Sequence, residues 1–146
     1  MDDFRYWHEV EVRFADLDSL GHVNNATYFT YFETARANYF SALELWDGTD
    51  MASLGVIVAH AACDFRRPIG YGQTVRVGVA TSRLGRKSFD LTYRIASQTG
   101  EVLAEGVTIM VHYDYQAGRS TEMPDRWRRT LAEFDGLDSA GAGNRP

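Results

Sequence analysis

A single cysteine, Cys63, means that no intrachain disulfide can form and that no zinc site can rest on several thiolates. Its alternating surroundings read as those of a small buried hydrophobe rather than an activated nucleophile. Positive charge is also short, with 15 Lys and Arg against 20 Asp and Glu and a net charge of -5 over 146 residues. Nucleic acids and anionic bilayers both demand concentrated positive charge, so neither is an expected partner. No apolar run approaches the roughly 20 residues that a bilayer crossing needs, and Met1-Asp2-Asp3-Phe4 lacks the basic, then apolar, leader of a secretory signal. The expectation is a soluble, cytoplasmic chain.

The motif inventory is equally bare. There is no P-loop, no Gly-x-Gly-x-x-Gly and no Gly-x-Ser-x-Gly, which leaves nucleotide hydrolysis, dinucleotide redox chemistry and a serine-hydrolase elbow without support. Asp16, Asp18 and His22 crowd together, yet no His-x-x-x-His or other ligand spacing accompanies them, so neither metal nor cofactor is expected. No internal repeat or domain linker divides the chain. One domain is expected over residues 1–134, with 135–146, which lacks periodicity and ends in Gly, Ala, Asn and Pro, as a disordered tail.

What is present begins with an alternation. From Glu9 to Asp16, polar Glu9, Glu11 and Arg13 interleave with Val10, Val12 and Phe14, the period of a half-buried strand. The next segment, Phe14-Ala-Asp-Leu-Asp-Ser-Leu-Gly-His-Val-Asn-Asn25, carries the most information. Acids two apart at a strand end project to one side, Gly21 permits a tight reversal, and Asn24 or Asn25 can cap a helix. From Asn25 to Leu43 the period changes. Tyr28, Phe32, Ala35 and Tyr39 recur at three or four residues, uninterrupted by proline or glycine, and predict one long helix. Its first turn has unpaired N–H groups and partial positive charge, suited to polarising a carbonyl or holding an oxyanion. A carboxylate beside such donors points to acyl-group chemistry.

The second half predicts strands over Val56–Phe65, Thr74–Leu84, Ser88–Ala96 and Val102–Asp114, the last three forming an antiparallel meander through Gly85-Arg-Lys87 and Gln98-Thr-Gly-Glu101. Leu103, Val107, Ile109, Val111 and Tyr113 share one face of the last strand. In the first of the four, His60 and Asp64 share a face opposite Ile57, Ala59, Ala61, Cys63 and Phe65. A sheet wrapped on one helix leaves its other face and its edges uncovered, and no second long helix is evident. Self-association is the simple solution.

Val12 through Arg36, with Asp-x-Asp, Gly-His-Val-Asn-Asn and Tyr-x-x-Tyr-Phe-Glu-x-Ala-Arg in one unbroken register, resembles the opening of the hotdog-fold acyl-CoA thioesterases of the 4-hydroxybenzoyl-CoA thioesterase branch. The resemblance continues through Arg67-Pro-Ile-Gly-Tyr-Gly-Gln-Thr-Val75, Gly85-Arg-Lys-Ser88, Gly118-Arg119 and Met123-Pro124, covering roughly Glu9 to Leu131. It implies an α+β hotdog fold, a curved antiparallel sheet wrapped around one long central helix, in a homodimer or homotetramer with active sites at subunit interfaces. The implied reaction is hydrolysis of an acyl-CoA to free acid and CoA.

By this resemblance Asp18 is the catalytic carboxylate, as nucleophile or as the base for water, and the backbone N–H near Asn25 takes the thioester oxygen. Asp16 reads as a structural acid that holds the turn. His22, Val23, Asn24 and Tyr28 are candidate substrate contacts, although Asn24 and Asn25 also suit capping and Tyr28 suits the core. His60 and Asp64 are candidates to line the pocket from a partner subunit. Arg66, Arg67, Arg86, Lys87 and Ser88 lie in or beside turns where the family meets the CoA phosphates. Glu33 and Arg36, three apart on the helix, read as a surface or interface pair. Two other functions stay open: a non-catalytic acyl-CoA-binding regulator and a hotdog hydratase or dehydratase.

Overall fold

The computed structural model describes residues 4–138. In order they form β1 (Tyr6–Glu11), a 3-10 turn (Phe14–Asp16), α1 (Asn25–Ala42), a single helical turn α2 (Met51–Leu54), β2 (Val56–Phe65), β3 (Thr74–Leu84), β4 (Ser88–Ser97), β5 (Val102–Asp114), β6 (Arg119–Ser120) and α3 (Asp125–Asp135). The strands make one antiparallel sheet in the order β1-β3-β4-β5-β2, with the short β6 on β5. No helix among the described residues is long and apolar enough to cross a membrane.

The sheet curls around α1. Tyr28, Tyr31, Phe32, Ala35, Tyr39 and Phe40, spaced at helical intervals, are all buried. Phe32 stacks on Tyr93 of β4 with ring centroids 4.4 Å apart. The approach is close enough that a Cβ on Gly106 of β5 would lie 2.5 Å from Phe32 Cε2, so only glycine fits beneath this ring.

The first strand runs shorter than its alternation suggests. It ends at Glu11, because Arg13 and Asp16 bond to each other across the 3-10 turn, and Phe14 is left 77% exposed. In β5, Ala104, Thr108, Met110 and His112 are the residues buried against the helix side, whereas Val107, Ile109, Val111 and Tyr113 are only half-buried. The apolar stripe read from periodicity therefore lies mainly on the outer face. The inner face carries Gly106 for closeness and Thr108 bonded to the Tyr93 hydroxyl at 2.6 Å. In β2 the register slips at Ala59, where Val58 pairs with Met110 and His60 with Ile109. This bulge places Val58, rather than Ile57, on the face of Ala61 and Cys63.

The helix that carries residue 134 runs one residue further. Asp135 closes α3, and its Oδ2 accepts from the Tyr39 hydroxyl at 2.5 Å and from Thr81 N–H at 2.9 Å. Leu137 N–H then caps the helix on the Ala132 carbonyl at 2.8 Å. The rest of the expected tail, 139–146, lies outside the described residues. Near the start of α3, Trp127 packs against Phe40, Phe89 and His112.

Candidate active site

The link between β1 and α1 is shaped by its two acids, which play different parts. Asp16 is 2% exposed. Its Oδ2 accepts from Arg13 N–H at 2.9 Å and the Tyr31 hydroxyl at 2.8 Å, and its Oδ1 from the Arg13 guanidinium at 2.8 Å. Burial alone would raise this carboxyl, but the bonds from Arg13 and Tyr31 outweigh it and hold the group below the usual range. Burial, then the neighbouring Asp16, pushes the Tyr31 phenol up. Asp16 thus fixes the turn, as its sequence context suggests, and its own carbonyl accepts Asn24 N–H at 2.9 Å to aim the helix start.

Asp18 opens the following reversal. Its N–H donates to the His22 carbonyl at 2.7 Å, and Gly21 occupies the left-handed region at φ 82°. Oδ1 accepts from Leu20 N–H at 2.9 Å and His22 N–H at 3.2 Å. Oδ2 has no hydrogen-bond partner among the described residues. One oxygen is therefore anchored by backbone while the other is free of protein hydrogen bonds among the described residues.

At the helix start, Asn24 is the N-cap and its side chain accepts Ala26 N–H at 2.9 Å, while its carbonyl takes Thr27 N–H at 2.8 Å. Val23 N–H is bonded to the Ile69 carbonyl at 2.8 Å. The Asn25 N–H has no partner among the described residues, and it carries the partial positive charge of the helix terminus. Capping accordingly belongs to Asn24, and the Asn25 N–H is left unbonded among the described residues.

Asp18, His22, Val23, Asn25, Tyr28, Arg66 and Arg67 line one open cleft of about 280 Å³, with Phe65 and Pro68 completing the wall. Tyr28 is buried, its ring edge-on to Phe65 at 4.8 Å. Burial pushes its phenol up, with a smaller contribution from the nearby Asp18 charge. Phe65 as a wall was not read from the sequence, although its place directly before the Arg66-Arg67 pair offered a signal. Arg66 and Arg67 pair with Glu105 at 3.2 Å and Glu101 at 2.9 Å, with all four side chains substantially exposed. Such pairs hold by about 1 kcal/mol or less, so a phosphate can displace either acid.

The other candidates lie elsewhere in the chain. Asn24 stands at the cleft's edge as the cap. His60 and Asp64 are exposed on β2, an edge of the sheet, on the face opposite Ala61 and Cys63. Arg86, Lys87 and Ser88 belong to the β3–β4 hairpin, at the far end of β3 and on the order of 30 Å along that strand from the loop that carries Arg67. Ser88 is buried and its hydroxyl accepts from Arg83 at 2.8 Å. Within one chain these three do not join the cleft. Cys63 is half-buried, and burial followed by the Asp64 charge pushes its thiol up to about 11, which matches the expectation of an unreactive cysteine. Among the described residues no three His, Cys, Asp or Glu side chains are grouped to hold a metal ion.

Comparison with known proteins places this arrangement. A family model described as the thioesterase-like superfamily matches residues 12–131. YsmA of Bacillus subtilis is 32% identical over 128 residues, 88% of this chain and 86% of that protein. A 1,4-dihydroxy-2-naphthoyl-CoA hydrolase of Nostoc punctiforme is 29% identical over 139 residues, 92% of this chain and 90% of the relative. Among solved structures, a thioesterase of Thermus thermophilus, crystallised with coenzyme A and Zn, superposes with a TM-score of 0.82 at 36% identity, covering 94% of this chain and 100% of that one. A curled antiparallel sheet around α1, in the same form as that thioesterase, is the hotdog arrangement implied by the opening signature. The chain belongs to the thioesterase-like superfamily.

Proposed function

We propose that the protein hydrolyses an acyl-CoA thioester to a free carboxylic acid and CoA, with Asp18 as the reacting carboxylate and the Asn25 N–H as the donor to the thioester oxygen. The observation that carries this is the pairing, in one cleft, of an Asp18 oxygen without a protein partner and a helix N-terminal N–H without one. The family membership, the CoA hydrolase name of one relative and the CoA bound to the Thermus thioesterase support the same reading.

As nucleophile, Asp18 Oδ2 adds to the thioester carbon, the oxygen gains negative charge against the Asn25 N–H, and the C–S bond breaks to release the CoA thiolate. Water then hydrolyses the mixed anhydride at the Asp18 carbonyl. As base, Asp18 instead takes a proton from water, which attacks the thioester carbon. In both routes the preorganised donor favours the tetrahedral oxyanion over the ground-state carbonyl. Arg66 and Arg67, which line the cleft, are assigned to the phosphates of CoA in this reading.

β2 presents ten residues along an open sheet edge, including Val58 at 40% and Phe65 at 43% exposure. Pairing of that edge with a second copy would cover it and bring His60 and Asp64 toward the partner's cleft, while the half-buried Val107, Ile109 and Val111 offer a face for further assembly.

The test is thiol release from a panel of acyl-CoAs. Asp18→Asn should lower kcat by at least about 100-fold, the scale of losing one reacting group, with unchanged thermal unfolding. Equal turnover by the variant would refute the assignment, and tight acyl-CoA binding without thiol release would favour a regulator. A single turnover in ¹⁸O-water separates the routes, because direct attack labels the product acid whereas the anhydride route places enzyme oxygen in it.

A further inference from the structure

Resting on the thioesterase reading, we infer that Arg36 is a specificity-determining residue that recognises an oxygen acceptor, hydroxyl or carboxylate, at the far end of the acyl group. Two adjoining hollows of about 250 Å³ each run between α1 and β2. They share Glu33, Arg36 and Val58 and are otherwise walled mainly by apolar side chains, among them Phe29, Ala61 and Met110. The trough starts one helical turn past Asn25, since Phe29 is four residues on and shares its face.

Arg36 pairs with Glu33, as their spacing suggests, but the arginine is largely covered. Its side chain is only 13% exposed, against 64% for Glu33. The nearest Glu33 oxygen is 3.8 Å from Arg36 Nη2, too far for a hydrogen bond. The guanidinium lies within electrostatic reach of the Tyr93 hydroxyl, itself bonded to Thr108 at 2.6 Å, and Thr108 lines the same hollow as Arg36. A largely desolvated cation beside two hydroxyls, in a trough that is otherwise apolar, is the pattern of a ligand pocket with a few orienting polar groups. A guanidinium with donors to spare takes an oxygen acceptor, and truncating that acceptor to methyl would leave the buried donors unpaired.

Distance fits a substrate of moderate length. Eleven residues from Asn25 to Arg36 span about 16 Å of helix axis, and the arginine side chain leans back toward the helix start, shortening that reach. A chain or fused-ring acyl group entering past Asn25 would meet the guanidinium with its distal end.

The experiment compares acyl-CoAs matched in length that end in methyl, hydroxyl or carboxylate, with purified wild type, Arg36→Met and Arg36→Lys. Wild type should favour an oxygen-tipped substrate over the methyl one by at least about tenfold in kcat/KM. Arg36→Met should abolish that preference while retaining turnover of the methyl substrate, and Arg36→Lys should restore part of it. The hydroxyl and carboxylate arms tell which acceptor is read. An equal loss on all three substrates, a wild-type preference for methyl, or a change of native mass without a change of preference would overturn the inference. Failure of wild type to release thiol from any acyl-CoA would instead remove the thioesterase reading beneath it.

Discussion

Protonation of one buried imidazole should set the acid limit of this fold. His112 sits beneath α3, 3% exposed, between Phe89 at 5.4 Å and Trp127 at 4.8 Å, and its Nε2 is buried with no hydrogen-bond partner among the described residues. Burial first, and then the positive charge of Arg128 on α3, lowers its pKa to about 4 from an ordinary value of 6.5. Between those two values the unfolded chain binds a proton that the folded chain refuses, so stability falls as pH drops through the window. Below both values the loss reaches about 3 kcal/mol, from roughly 1.4 kcal/mol for each pH unit of separation. That is a large fraction of the stability of a typical domain.

Replacing His112 with Phe keeps an aromatic ring against Trp127 and removes the proton. Urea unfolding of wild type and His112→Phe, followed by tryptophan fluorescence at several pH values from about 7.5 to 4, measures the difference directly. The variant should gain relative to wild type by about 3 kcal/mol on passing from about pH 7 to pH 4, whatever its offset at neutral pH from the change in volume. His112→Leu, which lacks the larger ring, should show the same pH-dependent gain. Parallel curves for all three proteins would show that His112 is free to protonate in the folded state, and the account of its burial would be wrong.

Three further outcomes follow from local geometry. Gly106→Ala should destabilise the fold by about 1–3 kcal/mol in urea titrations, because its Cβ would meet Phe32 and the Ala62 carbonyl at 2.5 and 2.9 Å. Asp16→Ala should cost about 1–3 kcal/mol by leaving the Tyr31 hydroxyl buried without its acceptor, and the wild-type advantage, present above the ordinary carboxyl range, should fade as pH drops through the lowered Asp16 pKa. Loss of the cap in Asn24→Ala should lower stability by about 1 kcal/mol, and should also reduce turnover if the Asn25 N–H is held in place by that capped first turn.

How far the sequence reaches is clear from particular elements. The bounds of β2, β3 and β5 agree with their turn residues, since Gly and Pro clusters leave little choice of where pairing stops. The start of α1 at Asn25 agrees because Asn24 combines a short polar side chain with the position before an apolar period. Alternation failed where side-chain bonds override it. Arg13 and Asp16 turn the chain before Phe14, and the extra residue at Ala59 reverses which side chains of β2 share a face. The β5 stripe does share a face, but which face it is was not legible. A face pressed on a helix can need glycine and small polar residues, while an outer face can keep valine and isoleucine.

The site divides in the same way. Asp18, His22, Val23 and Asn25 lie within eight residues, so local turn chemistry alone brings them together. Arg66 and Arg67 reach them through the β2–β3 connection, where His22 bridges Gly70. Arg86, Lys87 and Ser88 are held at the other end by Arg128 of α3 on the Gly85 carbonyl and by Met123, just before that helix, on the Arg86 carbonyl, and no local pattern reveals that distance. Nor could spacing reveal that Arg36 is only 13% exposed, since the hollows that cover it are walled in part by β2 and β5 far along the chain.

The slip at Ala59 also bears on how relatives of this chain could diverge. Removing that one residue would let the strand resume strict alternation, and every position upstream would then trade sides with respect to Ala61 and Cys63. Val58, which lines both hollows beside Arg36, would turn to the opposite face, and Ile57, which now lines only one of them, would turn inward, altering their width with no exchange of amino-acid type at either position. On the proposed function, a shift in substrate preference could thus arise from a one-codon deletion at the sheet edge, with Asp18 untouched.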